Sequence, residues 1–151
     1  MKPIRITLHC SASEDNKELS IASLRIMHIK ERGWNDIGYH VVIQPSGEVG
    51  YGRPMNIQGA GVRGENLNNI HICLVGNKYF PIAQFHALKE EINKIHLKYD
   101  IPTHKIFGHY EFQSAISQGK TCPNIRISDF ICWYLTEETE AIAKYVYRKE
   151  R

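Results

Sequence analysis

"IHICLVGNKYFPIAQFHALKEEINKIHLKY", residues 70–99, changes its hydrophobic period part-way, and that change sets the fold class. The opening "IHICLVGN" (70–77) is a short apolar run of the kind a buried strand shows. From Pro81 to Tyr99 the spacing becomes three and four. Phe85, Leu88, Ile92, Ile95 and Tyr99 then share one stripe of an amphipathic helix. A strand feeding a helix is the unit from which α/β domains are built.

The flanking segments extend the pattern. "IRITLHC" (4–10) alternates Ile4, Ile6 and Leu8 against Arg5, Thr7 and His9, the period of a half-buried strand, and sends His9 off the apolar face. "SIASLRIMHIKERG" (20–33) reads as a helix with Ser20 as its cap, Gly33 as its stop, and Ile21, Leu24, Met27 and His28 as its stripe. "YHVVIQPSGEVGYGRP" (39–54) is two extended pieces around Pro45-Ser46-Gly47, a hairpin signal, and "GAGVRGENLNN" (59–69) is loop. "HKIFGH" (104–109) supplies one more short strand. A last helix is expected from a Ser128 or Asp129 cap, with Phe130, Trp133, Tyr134 and Leu135 in the core. The expectation is therefore one α/β domain over residues 1–151, with a central mixed β-sheet flanked by about three helices.

Composition narrows the function classes. A chain of 151 residues with 42% hydrophobic and 10% aromatic residues is globular rather than disordered. Its charge of +3 is weak and scattered, so no nucleic-acid partner is expected. The basic tail (Lys144, Arg148, Lys149, Arg151) reads as a solvated helix end. No run of about 18 apolar residues exists, so no membrane insertion is expected. "MKPIRITLHCSASED" has no apolar core of signal-peptide length, and the protein is expected to be cytoplasmic as synthesised. In that compartment free thiols or metal ligation outrank disulfides for Cys10, Cys73, Cys122 and Cys132.

The thiol in "GHYEFQSAISQGKTCPN" (108–124) raises the functional question: nucleophile, redox group or metal ligand. Zinc favours neutral imidazole and thiolate, and catalytic zinc sites use three protein ligands. With eight histidines and four cysteines, most must be set aside. His28, His86 and His96 fall in helices, and His104 in a solvated loop. His71 and Cys73 share a strand face and read as a pair or as packing, and Cys132 reads as core. His9, His109 and Cys122 stand at strand ends or in loops, where clefts form.

"LHCSAS", "ERGWNDIGYHVVIQPSGEVGYGRP", "NNIHICLVGN" and "GHYEF…GKTCPN" occur in this order. Together they resemble the zinc-dependent N-acetylmuramoyl-L-alanine amidases, a superfamily that includes amidase-type phage lysozymes and peptidoglycan recognition proteins. The resemblance runs from about Ile4 to about Trp133. It implies zinc (Zn2+) ligands at His9, His109 and Cys122, and catalytic roles for Tyr39 in "GYH" and Lys120 two positions before the thiol. Two departures stand out. The segment between His109 and Cys122 is longer than in the short phage enzymes, which leaves the aim of Lys120 open. Gly61 stands where many relatives carry a histidine near the substrate.

The implied substrate is peptidoglycan, cut between N-acetylmuramic acid and L-alanine. A monomeric phage or prophage endolysin fits, acting on the wall after the membrane is permeabilised. Two competitors remain at this point. One is a peptidoglycan-binding module without catalysis, although such relatives typically lack the cysteine. The other is a cysteine-type wall peptidase, whose nucleophile usually starts a helix, as Pro123 would permit after Cys122.

Overall fold

The structure, a computed structural model, describes residues 1–150. Its element order begins with β1 (Arg5–Cys10), α1 (Ile21–Arg32), β2 (Val41–Ile43), β3 (Val49–Tyr51) and β4 (Asn69–Leu74). It continues with α2 (Ile82–Tyr99), β5 (Ile106–Gly108), α3 (Gln113–Ser117) and α4 (Ile127–Thr136). The five strands lie in the order β3-β2-β4-β1-β5. Only the β2–β3 hairpin is antiparallel, with Gly47 at φ 91° in its turn; the other pairings are parallel. The sheet is mixed, as expected, and short α3 raises the expected three helices to four.

β1 alternates as its sequence requires, but both of its faces are covered. Ile6 and Leu8 meet Phe85, Leu88, Ile92, Phe130 and Trp133 in the main core, which places α2 and α4 on that side. A smaller cluster, Leu24, Ile37, Tyr39, Val42, Cys73 and Val75, fills part of the opposite side. There the polar residues of the sheet are buried too: Thr7, His9, Asn69 and His71 are each at most 2% exposed. β1 is thus an interior strand rather than a half-buried one, and its polar face must satisfy itself internally. The Thr7 hydroxyl does so by donating to Asn69 Oδ1 at 2.8 Å.

The caps of α1 are those its sequence announces. The Ser23 N–H donates to Ser20 Oγ at 3.1 Å, and Gly33 ends the helix at φ 68°. Of the expected stripe, Leu24 and His28 are buried, while Met27 faces solvent. In α2 a buried glutamine lies beside the apolar stripe. Gln84 donates to the carbonyls of Ile43 and Val75 at 2.8 and 2.9 Å, tying the helix to the ends of β2 and β4.

The last helix departs most from expectation. It starts at Ile127 with no side-chain cap and stops at Thr136, where Glu137 turns left-handed at φ 58°. Phe130 and Trp133 are buried, but Leu135 and Cys132 are exposed. The following segment forms two 3-10 turns, not a continued helix, and Lys144 pairs with Asp129 at 3.1 Å.

Phe85 tests the main core directly. Its ring packs edge-on to Trp133 and Phe80, with centroids 5.8 and 6.4 Å away, and it is fully buried. Phe85→Ala is expected to lower unfolding free energy by about 3–5 kcal/mol. Urea denaturation reads this, and a loss near zero would show that α2 does not anchor the sheet.

Candidate active site

Parallel pairing explains why residues a hundred positions apart meet. β1 and β5 run side by side, with Leu8 opposite Gly108, and both end at the same edge of the sheet. His9 therefore projects from the end of β1, and His109 opens the 3-10 turn that follows β5. The segment carrying α3 then folds back and lays Cys122 over Cys10. The Cys10 N–H points at Cys122 Sγ, 3.1 Å away, and the Cys122 carbonyl accepts from the Tyr110 N–H at 3.0 Å. Among the described residues one group has metal-ligand geometry. His9, His109 and Cys122 each offer a donor atom, all within 4.8 Å of one another.

The donor chemistry fits zinc. Burial and then the neighbouring His71 hold His9 well below the usual imidazole range. Burial and then Lys120 bring His109 to about 4. Both rings are neutral at physiological pH, the form that ligates. The contact with Cys10, followed by burial, pushes the Cys122 thiol up, so its thiolate needs a cation beside it. Tetrahedral zinc with two imidazoles and a thiolate sets its donors about 3.4–3.6 Å apart. Cys122 Sγ and His9 Nδ1 stand at 4.0 Å, a small side-chain adjustment away.

Around this trio lies a cleft of about 470 Å³. Tyr39, just before β2, lies with its ring centroid 5.2 Å from that of His9 and is 9% exposed. Burial, and then the nearby thiols Cys73 and Cys122, raise its phenol well above the usual range, so it stays protonated. Lys120 is exposed on the cleft rim. The longer segment that left its aim open is α3 followed by a turn at Gly119 (φ 66°). The Lys120 N–H donates to the Ala115 carbonyl at 3.0 Å, and this fixes its backbone at the cleft. All five residues singled out from the sequence line one cleft.

Sequence reading missed the place of His71 beside His9. Its Nδ1 lies 2.9 Å from His9 Nε2, while Cys73 packs in the smaller core instead of pairing with it. The signal was present in the strand alternation. Thr7 pairs with His71 in the β1–β4 register, so His9 and His71 share one face two residues apart. Gly61, also in the cleft wall, faces this ring; a Cβ there would lie 2.6 Å from His71 Nδ1. Glycine at 61 and histidine at 71 therefore fit each other.

Residues 1–125 match the family described as N-acetylmuramoyl-L-alanine amidase. The chain belongs to the N-acetylmuramoyl-L-alanine amidase family. The span shared with this amidase family includes the whole cleft and stops just before α4. The endolysin of Enterobacteria phage K11 is 30% identical over 132 residues, covering 82% of each chain. Among solved structures, the amidase LysC from Clostridium intestinale superposes with a TM-score of 0.75. It is 25% identical over 87% of this chain and 84% of its own. A point mutant of Drosophila PGRP-LB, solved in complex with tracheal cytotoxin, gives a TM-score of 0.74 at 25% identity, over 87% of this chain and 82% of its own. The amidase cleft also weakens the cysteine-peptidase alternative: α4 begins at Ile127, so Cys122 does not start a helix.

Proposed function

We propose that this chain is an endolysin amidase that cuts peptidoglycan between the lactyl group of N-acetylmuramic acid and L-alanine. Zinc held by His9, His109 and Cys122 would serve the reaction. The carrying observation is the convergence of these three donors beside a buried, protonated tyrosine in a chain of the amidase family. We read residues 1–151 as one catalytic domain that works as a monomer. Among the described residues no helix is long and apolar enough to cross a membrane. The enzyme would act on the wall once the membrane is opened.

Bound zinc supplies Lewis acidity, which makes a nucleophile available from water near neutral pH and polarises a carbonyl. The rest falls to the chain. His9 and His109 donate ring lone pairs, and the Cys122 thiolate offsets part of the metal's charge while the Cys10 amide steadies the sulfur. Water adds to the lactyl carbonyl carbon, the C–N bond breaks, and the alanine nitrogen leaves with a proton. The Tyr39 phenol donates a hydrogen bond to the reacting oxygen from a site where bulk water barely competes. The Lys120 ammonium at the rim faces the developing oxyanion and stabilises the charge that builds there.

Incubating the purified protein with sacculi should release new amino-terminal alanine without new reducing sugar. A chelator should stop the release and added zinc restore it. Persistence under chelator with loss under a thiol alkylator would instead identify a cysteine peptidase, and binding without release would identify a recognition module.

A further inference from the structure

We propose that His71 is the positioning residue of this metal centre: its Nδ1 accepts the His9 Nε2–H and so holds His9 in the tautomer that offers Nδ1 to zinc. The inference rests on the metal reading above and adds to it a residue outside the ligand set.

The geometry leaves few alternatives. His9 Nδ1 faces Cys122 Sγ at 4.0 Å, and its Nε2 faces His71 Nδ1 at 2.9 Å. A neutral imidazole carries one proton and one lone pair. Ligation through Nδ1 places the His9 proton on Nε2, where only an acceptor can meet it. His71 Nδ1 must then be a lone pair, with the His71 proton on Nε2. That Nε2 is buried and makes no hydrogen bond. A residue present only to fill space would do better as an apolar side chain, because a buried polar atom without a partner lowers stability. The unsatisfied atom is intelligible as the cost of keeping an acceptor at Nδ1.

The ring is held by two neighbours. His40 stacks on it at 5.9 Å with an interplanar angle of 9°. His40 is itself locked, accepting the His71 N–H on Nδ1 at 3.0 Å and donating from Nε2 to the Ile57 carbonyl at 2.8 Å. The second neighbour is Gly61. All three atoms that its Cβ would meet most closely belong to His71, at 2.6, 2.9 and 2.9 Å. Even an alanine at 61 would push the ring off His9. Second-sphere partners of metal-bound histidines typically change metal affinity 10- to 100-fold when replaced.

The test compares His71→Leu, which keeps bulk without an acceptor, with His71→Asn, whose amide oxygen can take the place of Nδ1. Zinc dissociation constants come from chelator competition, and thermal unfolding of the zinc-free proteins checks the fold. His71→Leu should bind zinc about 10-fold or more weakly. His71→Asn should stay within about threefold of wild type, since it restores the acceptor. Gly61→Ala should also weaken zinc binding, but not in a His71→Gly background, where no ring remains to be displaced. This second pair decides the matter even if His71→Leu folds poorly. Wild-type affinity in His71→Leu, equal losses in the Leu and Asn variants, or a Gly61→Ala effect that persists without His71 would each overturn the proposal. A wild-type protein that binds no zinc would refute the metal reading itself, and this inference with it.

Discussion

Cys122→Ser is expected to lose its zinc and its hydrolysis of sacculi together. A serine hydroxyl does not ionise in this range, so the substitution removes the one anionic donor and leaves two neutral imidazoles. Structural zinc in four-ligand peptides binds with about 10–16 kcal/mol, so one ligand accounts for about 2.5–4 kcal/mol, a loss of about 70- to 900-fold in affinity. The fold should survive. Cys122 is only half-buried, in a loop, and β1, which carries His9, is paired without it to β5, which leads into His109. Elemental analysis and circular dichroism on the same sample separate these effects. One zinc per chain in the folded variant would remove Cys122 from the site, and with it the argument that a cation stabilises this thiolate.

What could be read from the sequence, and what could not, divides along one physical line. Local periodicity and caps were legible because their causes are local. Ser20 and Gly33 bound α1, and the three-four stripe gave α2 nearly to the residue. The candidate donor trio of His9, His109 and Cys122, which converges in the cleft, was legible once strand ends were located and family-like motifs were placed on them. Covering was not. Period two in β1 identifies two faces but does not say that both will be buried, and that depends on α1 and on the loops from Trp34 to Tyr39 and from Gly59 to Asn68. Whether Leu135 or Cys132 lies in the core depends on where α4 ends. That end is set by a left-handed Glu137 rather than by a glycine or proline that would have announced it. His71 belongs to the same class. Its strand was recognised, yet its meaning comes from a neighbour on another strand and a glycine on a third segment. Gln84 likewise counts as polar in an apolar stripe until the carbonyls of Ile43 and Val75 are beside it.

Tyr39→Phe and Lys120→Ala are expected to keep zinc and lose turnover, to different degrees. In Tyr39→Phe the ring remains packed against His9 and His28, at 5.2 and 5.3 Å between centroids, and only the hydroxyl is lost. That donor acts in a site with little competing water, so kcat should fall about 100- to 1000-fold with KM changed far less. Lys120 works from the exposed rim, where water and salt screen its charge over about 8 Å at physiological ionic strength. Its removal should therefore cost less, about 10- to 100-fold in kcat. The difference should narrow as salt is lowered, because only the lysine contribution is screened. Zinc content measured on the same preparations keeps the two roles apart from ligation. Wild-type cleavage rates in both variants would show that neither side chain meets the reacting oxygen. A fall in zinc content in either variant would move that residue from the reaction to the structure of the metal centre.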